Sequence, residues 1–383
     1  MRGVWAPKII AVMSTVLEHH RTELLARMRA ATDAQSLFDD VSQRLRRLVQ
    51  FDAALWFATD PATNLATAPA RVENLGENDP EACAAYWAAE FMVEDVNLYR
   101  DIARAPRPVA TLWQATGANP ARSARYREFL RPNGLGDELR AAMRVGASSW
   151  GMLTLAREAG RTPFSPDEID LVASLSTPLA QALRACALVE RRMEPGGPDE
   201  PGMVLFDERY RIISLNDAAR GWIDELPDGP DYASGGIRVT TEMLATVGQA
   251  RVIAEGRDQG SARLRVRGRS GRWLVLHASR LAGLDGASTP TALVIEAAQA
   301  AEIAPIIVEA HQLSKREQEI TQLVARGVAT AEIAARLHLS VHTVRDHLKA
   351  VFEKVGVSSR GELVAKLFAE HYAPAMHDGL VHV

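Results

Sequence analysis

From Leu313 to Tyr372 the chain reads LSKREQEITQLVARGVATAEIAARLHLSVHTVRDHLKAVFEKVGVSSRGELVAKLFAEHY. Ser314, followed three residues later by Glu317, has the form of a capping box that closes free amides at a helix start. Ile320, Leu323 and Val324 then share one stripe of that helix, and Gly327 stands where a left-handed C-terminal cap is expected. Thr330 is expected to cap a second, very short helix carrying Glu332, Ile333, Ala334 and Leu337. After a turn at His338 and Leu339, Ser340 is placed to cap a third helix that reaches about Val355 and stops at Gly356. A fourth helix starts at Ser358 or Ser359 and carries Leu363, Val364, Leu367 and Phe368.

In the third helix Val344, Leu348 and Val351 recur at i, i+4 and i+7, so burying them turns Arg345, Asp346 and Lys349 outward. Two short helices joined by a tight turn, the second presenting polar side chains, form the geometry in which one helix enters the major groove and the other braces it. Arg345 is then placed to fork onto guanine, Lys349 to reach a base or a phosphate, and Asp346 to accept from cytosine or orient its basic neighbours. Ser340, Thr343, His347, Lys354 and Arg360 are candidate phosphate ligands, which fix register without reading sequence. A protein-binding bundle would also carry solvated Arg and Lys. The ordered run of caps and glycines is what favours the nucleic-acid reading. His342 and His347 are five residues apart, the wrong spacing for a metal pair on one helix face.

The stretch resembles the DNA-binding domain of LuxR-type regulators. The likeness is carried by Leu313, Ser314, Arg316, Glu317, Gly327, Glu332, Ile333, Ala334, Leu337, Leu339, Ser340, Thr343, Val344, His347, Leu348, Lys354, Gly356, Val357, Arg360, Glu362 and Leu363. Where that family commonly has Lys, this chain has Arg345, and its Thr330 and Ala331 replace a frequent Ser-Asn pair; both departures bear on the target sequence. The resemblance implies that the fourth helix, near Val364 and Phe368, mediates homodimerisation on paired half-sites.

Outward from this module, the 383 residues have room for two or three domains, and 47% hydrophobic with 24% charged residues is the composition of a globular protein. The net charge of -4 argues at first against a polyanion partner, but residues 311–372 carry nine Lys or Arg against seven Asp or Glu, while residues 1–310 carry 35 against 40. The cationic part is therefore the C-terminal module. Cys83 and Cys186 are about a hundred residues apart with no CxxC spacing, so neither a disulfide framework nor a thiolate metal site is expected, and a reducing cytoplasm is. The apolar stretch Ile9 to Leu17 lacks a small-residue cleavage pattern before Glu18, His19 and His20, and no apolar run is long enough to span a bilayer, so no membrane partner is expected.

Two breaks, Glu194 to Gly202 (EPGGPDEPG) and the Ala-rich connector ending at Pro305, divide the chain. The first block has a helical pattern from Asp33 to Val49 through Leu37, Val41, Leu45 and Leu48, strands at Ala53 to Ala58 and Met152 to Ala156, and a closing helix from Pro166 to Leu188 capped at Ser165. Nothing between about Pro61 and Gly146 fits a pattern. The second block has strands at Met203 to Phe206 and Ile212 to Leu215, a short helix after Asn216 and Asp217, then Arg263 to Arg267, Trp273 to Ser279 and Leu293 to Ile295. Arg263, Arg265 and Arg267 share one face, which is expected to be solvated. The closing FSPDEIDLVASLSTPLAQAL helix resembles a GAF-type domain and the GMVLFDERYRIISLNDAAR opening a PAS-type domain.

The expected architecture is multidomain: a leading helix (1–30), an α+β GAF-like domain (31–193), a linker (194–202), an α+β PAS-like domain (203–297), a connector (298–312), an all-α four-helix helix-turn-helix domain (313–372) and a tail (373–383). No GxxxxGK[ST], HExxH or GxSxG motif and no receiver-like acid cluster after Phe51 is present, so no catalytic, metal or cofactor residues are assigned. Cys83, in an Ala-Cys-Ala-Ala run, is read as a buried small residue rather than a chromophore anchor, and His277 as packed or solvated rather than a ligand. The leading reading is a non-enzymatic, cytoplasmic, homodimeric regulator of promoter DNA, controlled by a small-molecule effector of unknown identity or a protein. The alternative is an enzyme or a chromophore- or haem-binding signalling protein with an appended DNA-binding tail.

Overall fold

The computed structural model describes residues 19–75, 80–187, 198, 200–229, 231–282, 289–299, 302–303, 306, 311 and 313–364, with the side chains of 80–84 outside the described set. The apolar stretch Ile9 to Leu17, the Cys83 side chain, Leu367, Phe368 and the tail from 373 thus lie outside the described residues. The described residues fall into two compact units, one within 1–191, 197–269 and 274–296 and the other within 192–196, 270–273 and 297–383.

The larger unit begins with helical residues 19–30 and then α1 (Ala34–Leu45), where Asp33 caps by accepting from the Ser36 amide at 2.8 Å and Leu37, Phe38, Val41 and Leu45 are buried. The helix is shorter than its apolar pattern because amides from Arg47 to Leu48 reach back only three residues, closing it in a tight turn. β1 (Ala53–Thr59) and β2 (Ala66–Glu73) follow, then α2 (Pro80–Met92), α3 (Tyr99–Arg104), β3 (Val109–Thr111), α4 (Leu112–Ala115), β4 (Leu135–Val145), β5 (Ser148–Glu158) and α5 (Pro166–Ala187). The expected α+β first block is present, as a five-stranded sheet in the order β2-β1-β5-β4-β3 with antiparallel neighbours. Ser165 and Glu168 form reciprocal bonds at the start of α5, and Gly151 lets that helix sit close, since a Cβ there would lie 2.7 Å from Leu183 and 2.9 Å from the Phe57 carbonyl.

Where the sequence offered no pattern, between Pro61 and Gly146, six of these elements form. β4 carries Glu138 and Arg140 at alternate positions, yet both are buried, facing α2 and α3. Glu138 accepts from Arg125 at 2.8 Å, Arg140 donates to Glu90 at 2.7 Å and to the Tyr86 hydroxyl at 3.0 Å, and that hydroxyl meets Tyr99 at 2.6 Å. Burial alone would raise the Glu138 carboxyl, but the guanidiniums of Arg125 and Arg140 hold it below the usual carboxylate range.

The second block supplies β6 (Gly202–Phe206), β7 (Ile212–Leu215), α6 (Asp217–Glu225), β8 (Asp231–Ser234), β9 (Ile237–Thr240), α7 (Thr241–Ala254), β10 (Arg263–Arg267), β11 (Trp273–Arg280) and β12 (Thr291–Ala297). Its five-stranded sheet runs β10-β11-β12-β6-β7, which, counted from its own first strand, is the winding of the first sheet. The hairpin β8-β9 and the buried helix α7 were not anticipated; α7 is apolar or buried nearly all round, so it has no amphipathic stripe to read.

Both blocks lie in the one unit and share buried contacts. A Cβ on Gly248 of α7 would stand 2.5 Å from the Phe91 ring of α2, so glycine is required for that approach. The arginine face expected to be solvated is so only in part: Arg263 is exposed and Arg267 half-buried, but Arg265 is buried and clasps the fully buried Asp60, its backbone amide and Nε donating to Oδ2 at 2.9 and 2.8 Å and its Nη2 to Oδ1 at 2.7 Å. A period of two fixes which side chains share a face, while the neighbour brought from 205 residues away decides whether the face meets water. His277 is exposed. No helix among the described residues is long and apolar enough to cross a membrane.

Removing one partner of a buried pair leaves the other charge uncompensated, at about 3–5 kcal/mol. Asp60→Ala is therefore expected to lower the stability of the larger unit by about that amount, read by urea denaturation, and a loss below about 1 kcal/mol would contradict the role given to the pair.

Candidate nucleic-acid interface

The smaller unit contains α8 (Lys315–Ala325), α9 (Thr330–Arg336) and α10 (Val341–Val355), followed by helical residues 360–364. Ser314 and Glu317 make the full capping box: the Ser314 hydroxyl accepts from the Glu317 amide at 3.3 Å and the Glu317 carboxylate from the Ser314 amide at 2.6 Å. Gly327 adopts φ +79°, the left-handed conformation that ends α8. The expectation that Thr330 caps α9 is corrected: the extended residue is Ala329, at φ -64° and ψ 149°, and Thr330 is already the first helical residue, with no side-chain cap bond. His338, at φ +54°, turns the chain, and Ser340 caps α10 by accepting from the Thr343 amide at 3.0 Å. Gly356 ends α10 at φ +69°.

The apolar stripe of α10, Val344, Leu348, Val351 and Val355, is buried against Leu313, Ile320, Val324, Ile333, Ala334 and Leu363. Each such side chain fully withdrawn from water stabilises the fold by about 1.5–3 kcal/mol, so rotation of α10 about its axis is strongly opposed. Consequently Arg345, Asp346 and Lys349 are exposed together on the opposite side, near the N-terminal half of the helix. His342, 86% exposed, lies one turn before Asp346, with 3.6 Å between imidazole Nε2 and carboxylate. Val341, at the first position of α10, is 37% exposed, an apolar patch beside the polar row.

The candidate phosphate ligands separate into two groups. Ser340 is exposed and Thr343 and His347 half-buried at the start and flank of α10, with the Ser340 and Thr343 hydroxyls 2.8 Å apart. Lys354 and Arg360 are instead engaged within the unit. The Lys354 ammonium lies 2.6 Å from the Glu317 carboxylate, and Arg360 donates through Nη2 to the Val328 carbonyl at 2.7 Å and, more distantly, to that of Val324 at 3.4 Å. Arg360 thus ties the start of the last helical segment to the end of α8 and the loop after it. These contacts span 37, 32 and 36 residues, so no spacing in the sequence signals them. Ser359 accepts from the Glu362 amide at 3.1 Å and so starts the last helical turn; Val364 is half-buried against the unit's core, and Phe368 lies outside the described residues.

Glu317 therefore works in two places, closing α8 and tying it to α10. Burial acts to raise its carboxyl, but the Lys354 ammonium and the Ser314 amide and hydroxyl outweigh this and hold it below the usual carboxylate range.

Residues 311–367 match the family model of bacterial regulatory proteins of the LuxR family, and residues 33–183 match that of the GAF domain. Over 55 residues the chain is 40% identical to the spore germination protein GerE of Bacillus subtilis, a match covering 14% of this chain and 74% of that protein. It is 45% identical over 56 residues to the transcriptional regulatory protein UhpA of Escherichia coli, covering 15% of this chain and 29% of UhpA. With the oxygen regulatory protein NreC of Staphylococcus aureus the identity is 48% over 52 residues, 14% of this chain and 24% of NreC. The chain thus spans under a third of the length of UhpA and NreC.

A carboxyl held low by folding stabilises the native state above its unfolded-state pKa, and that contribution is lost as pH falls through the folded-state pKa. At neutral pH, Glu317→Gln is expected to cost the smaller unit about 1–2 kcal/mol, read as faster amide hydrogen exchange over residues 313–364 in the full chain. The gap to wild type should shrink as pH drops below the usual carboxylate range; a gap constant with pH would show that the charge on Glu317 contributes nothing.

Proposed function

The chain belongs to the LuxR family of bacterial regulatory proteins, and from that footing we propose that it is a transcriptional regulator that binds double-stranded promoter DNA sequence-specifically through α10. The observation that carries this is the fixed rotation of α10, which buries Val344, Leu348 and Val351 and presents Arg345, Asp346 and Lys349 as one exposed row. Arg345 reads guanine through its planar fork, Lys349 reaches the next base or a phosphate, and Asp346 accepts from cytosine while orienting His342. Val341 offers an apolar contact suited to a thymine methyl. Ser340, Thr343 and His347 hold the phosphate backbone beside the helix start. We assign Lys354 and Arg360 to holding the helices together, since Lys354 Nζ and Arg360 Nη2 already meet partners within the unit.

In this reading the regulator acts as a homodimer through the segment containing Val364 and Phe368, the fourth helix of the module. The larger unit is the sensor, responding to a small-molecule or protein effector. Its GAF domain is followed by a block we read as PAS-like, which the shared winding of the two five-stranded sheets supports. Effector binding changes promoter affinity to the extent that the effector distinguishes two states of the protein.

Arg345→Ala and Lys349→Ala are each expected to weaken binding to a target selected from random DNA by about 1–3 kcal/mol, with circular dichroism unchanged. Lys349→Ala should also flatten the salt dependence of binding if it meets a phosphate. Arg360→Ala, by contrast, should destabilise the module and leave the salt slope as it was. Unchanged affinity in both Arg345→Ala and Lys349→Ala would overturn the assignment of α10.

A further inference from the structure

Within the larger unit a groove of about 610 Å³ lies between α2, the β6-β7 turn and α7, a volume in the range of about 300–1,000 Å³ typical of small-molecule sites. One wall is apolar, formed by Ala85, Ala88 and Met92 of α2. The other carries Arg209, Arg251 and Arg280 against Glu208 and Glu255, one positive charge in excess. That excess is effectively larger, because Glu255 is shared by Arg257 at 2.8 Å and Arg280 at 3.5 Å.

Tyr210 also lines this groove. It is 2% exposed, and its hydroxyl proton meets no acceptor. Arg251, itself 4% exposed, lies with its guanidinium carbon 4.0 Å from the Tyr210 ring centroid and is locked there by bonds to the Asp207 and Glu208 carbonyls and the Thr291 hydroxyl. A guanidinium can only donate, so it cannot accept the phenolic proton. Burial pushes the Tyr210 hydroxyl up to about 12, so it keeps that proton and remains a donor. A buried donor left unmet costs about 1–3 kcal/mol, and the groove that Tyr210 lines is the space from which an acceptor can approach it.

We propose that this groove binds a small organic anion, a carboxylate on a flat apolar body, with the carboxylate accepting from Tyr210 within the arginine wall and the body resting on Ala85, Ala88 and Met92. The charge excess selects an anion, and the apolar wall excludes a bare one such as inorganic phosphate as the preferred occupant. The site is composite: one wall belongs to the GAF domain and the other to the second block, and α2 and α7 meet directly where Phe91 packs on Gly248. Occupancy therefore bears on how the two blocks pack, which deepens the sensor reading above and rests on it.

The test is isothermal titration of the full chain with benzoate, alongside benzyl alcohol, which lacks the charge, and inorganic phosphate, which lacks the apolar body. Benzoate is expected to saturate one site per chain, with both comparison compounds binding at least tenfold more weakly. Tyr210→Phe, which keeps the ring under Arg251, should weaken benzoate by about tenfold and leave the thermal midpoint of the unliganded chain unchanged or raised, since it removes an unmet polar group. Ala88→Leu, which narrows the groove from α2, should weaken it as well. No saturable heat with benzoate, equal binding of phosphate, or benzoate binding indifferent to both substitutions would overturn the proposal. Promoter affinity measured with and without benzoate on the same preparations reports on the regulator reading separately, because DNA binding can fail while the anion still binds.

Discussion

A helix that gives one stripe to a core must give the opposite stripe to water, and in the smaller unit this constraint decides what α10 can offer a partner. Val344, Leu348, Val351 and Val355 leave no freedom of rotation, so Arg345, Asp346 and Lys349 are presented together by the packing of the opposite stripe. The ends are fixed as firmly, by the Ser340 cap and the left-handed Gly356. Glu317 adds the cross-tie: one carboxylate closes α8 and holds Lys354 near the far end of α10. The face proposed to read DNA is therefore rigid because of residues that need never touch DNA.

The larger unit follows a different economy. Its interior holds paired charges, Arg125 with Glu138, Arg140 with Glu90, and Arg265 with Asp60. Pairs of this kind add little net stability relative to apolar packing, yet each demands one geometry, because a buried charge that slips from its partner is costly. The Asp60 clasp fixes the β1-β2 turn of the first block to β10 of the second, and the glycine at 248 lets α7 and α2 approach more closely than any side chain would permit. Two blocks of the same winding are thereby made one body, and a ligand seated across them would act on both.

Legibility in the sequence tracked how local the determining interaction was. The caps at Ser314 and Ser340 and the stops at Gly327 and Gly356 could be read because each is settled within a few residues. The same holds for Ser165 and Glu168, and for the alternating strands of the second block. Thr330 misled by a single position, since Ala329 takes the extended conformation without a side-chain bond. The region from Pro61 to Gly146 was opaque because β4 is buried along most of its length and its buried charges imitate exposed ones. Arg265 was misjudged for the same reason, and no spacing signalled that Lys354 and Arg360 have partners more than thirty residues away.

By itself, then, the sequence determined the first three helices of the C-terminal module, most of their ends, and which side chains of α10 share a face, because backbone caps and helical periodicity act over one or two turns. It likewise determined the strands and closing helix that outline the first block. Only the tertiary structure decided which charged side chains are paired across long stretches of chain and which stand exposed. It also decided that the two N-terminal blocks are joined through buried contacts, and that Tyr210 is buried at the edge of a groove with its proton unmet. The physical reason is that burial and pairing depend on what the rest of the chain brings alongside, a quantity no local spacing encodes.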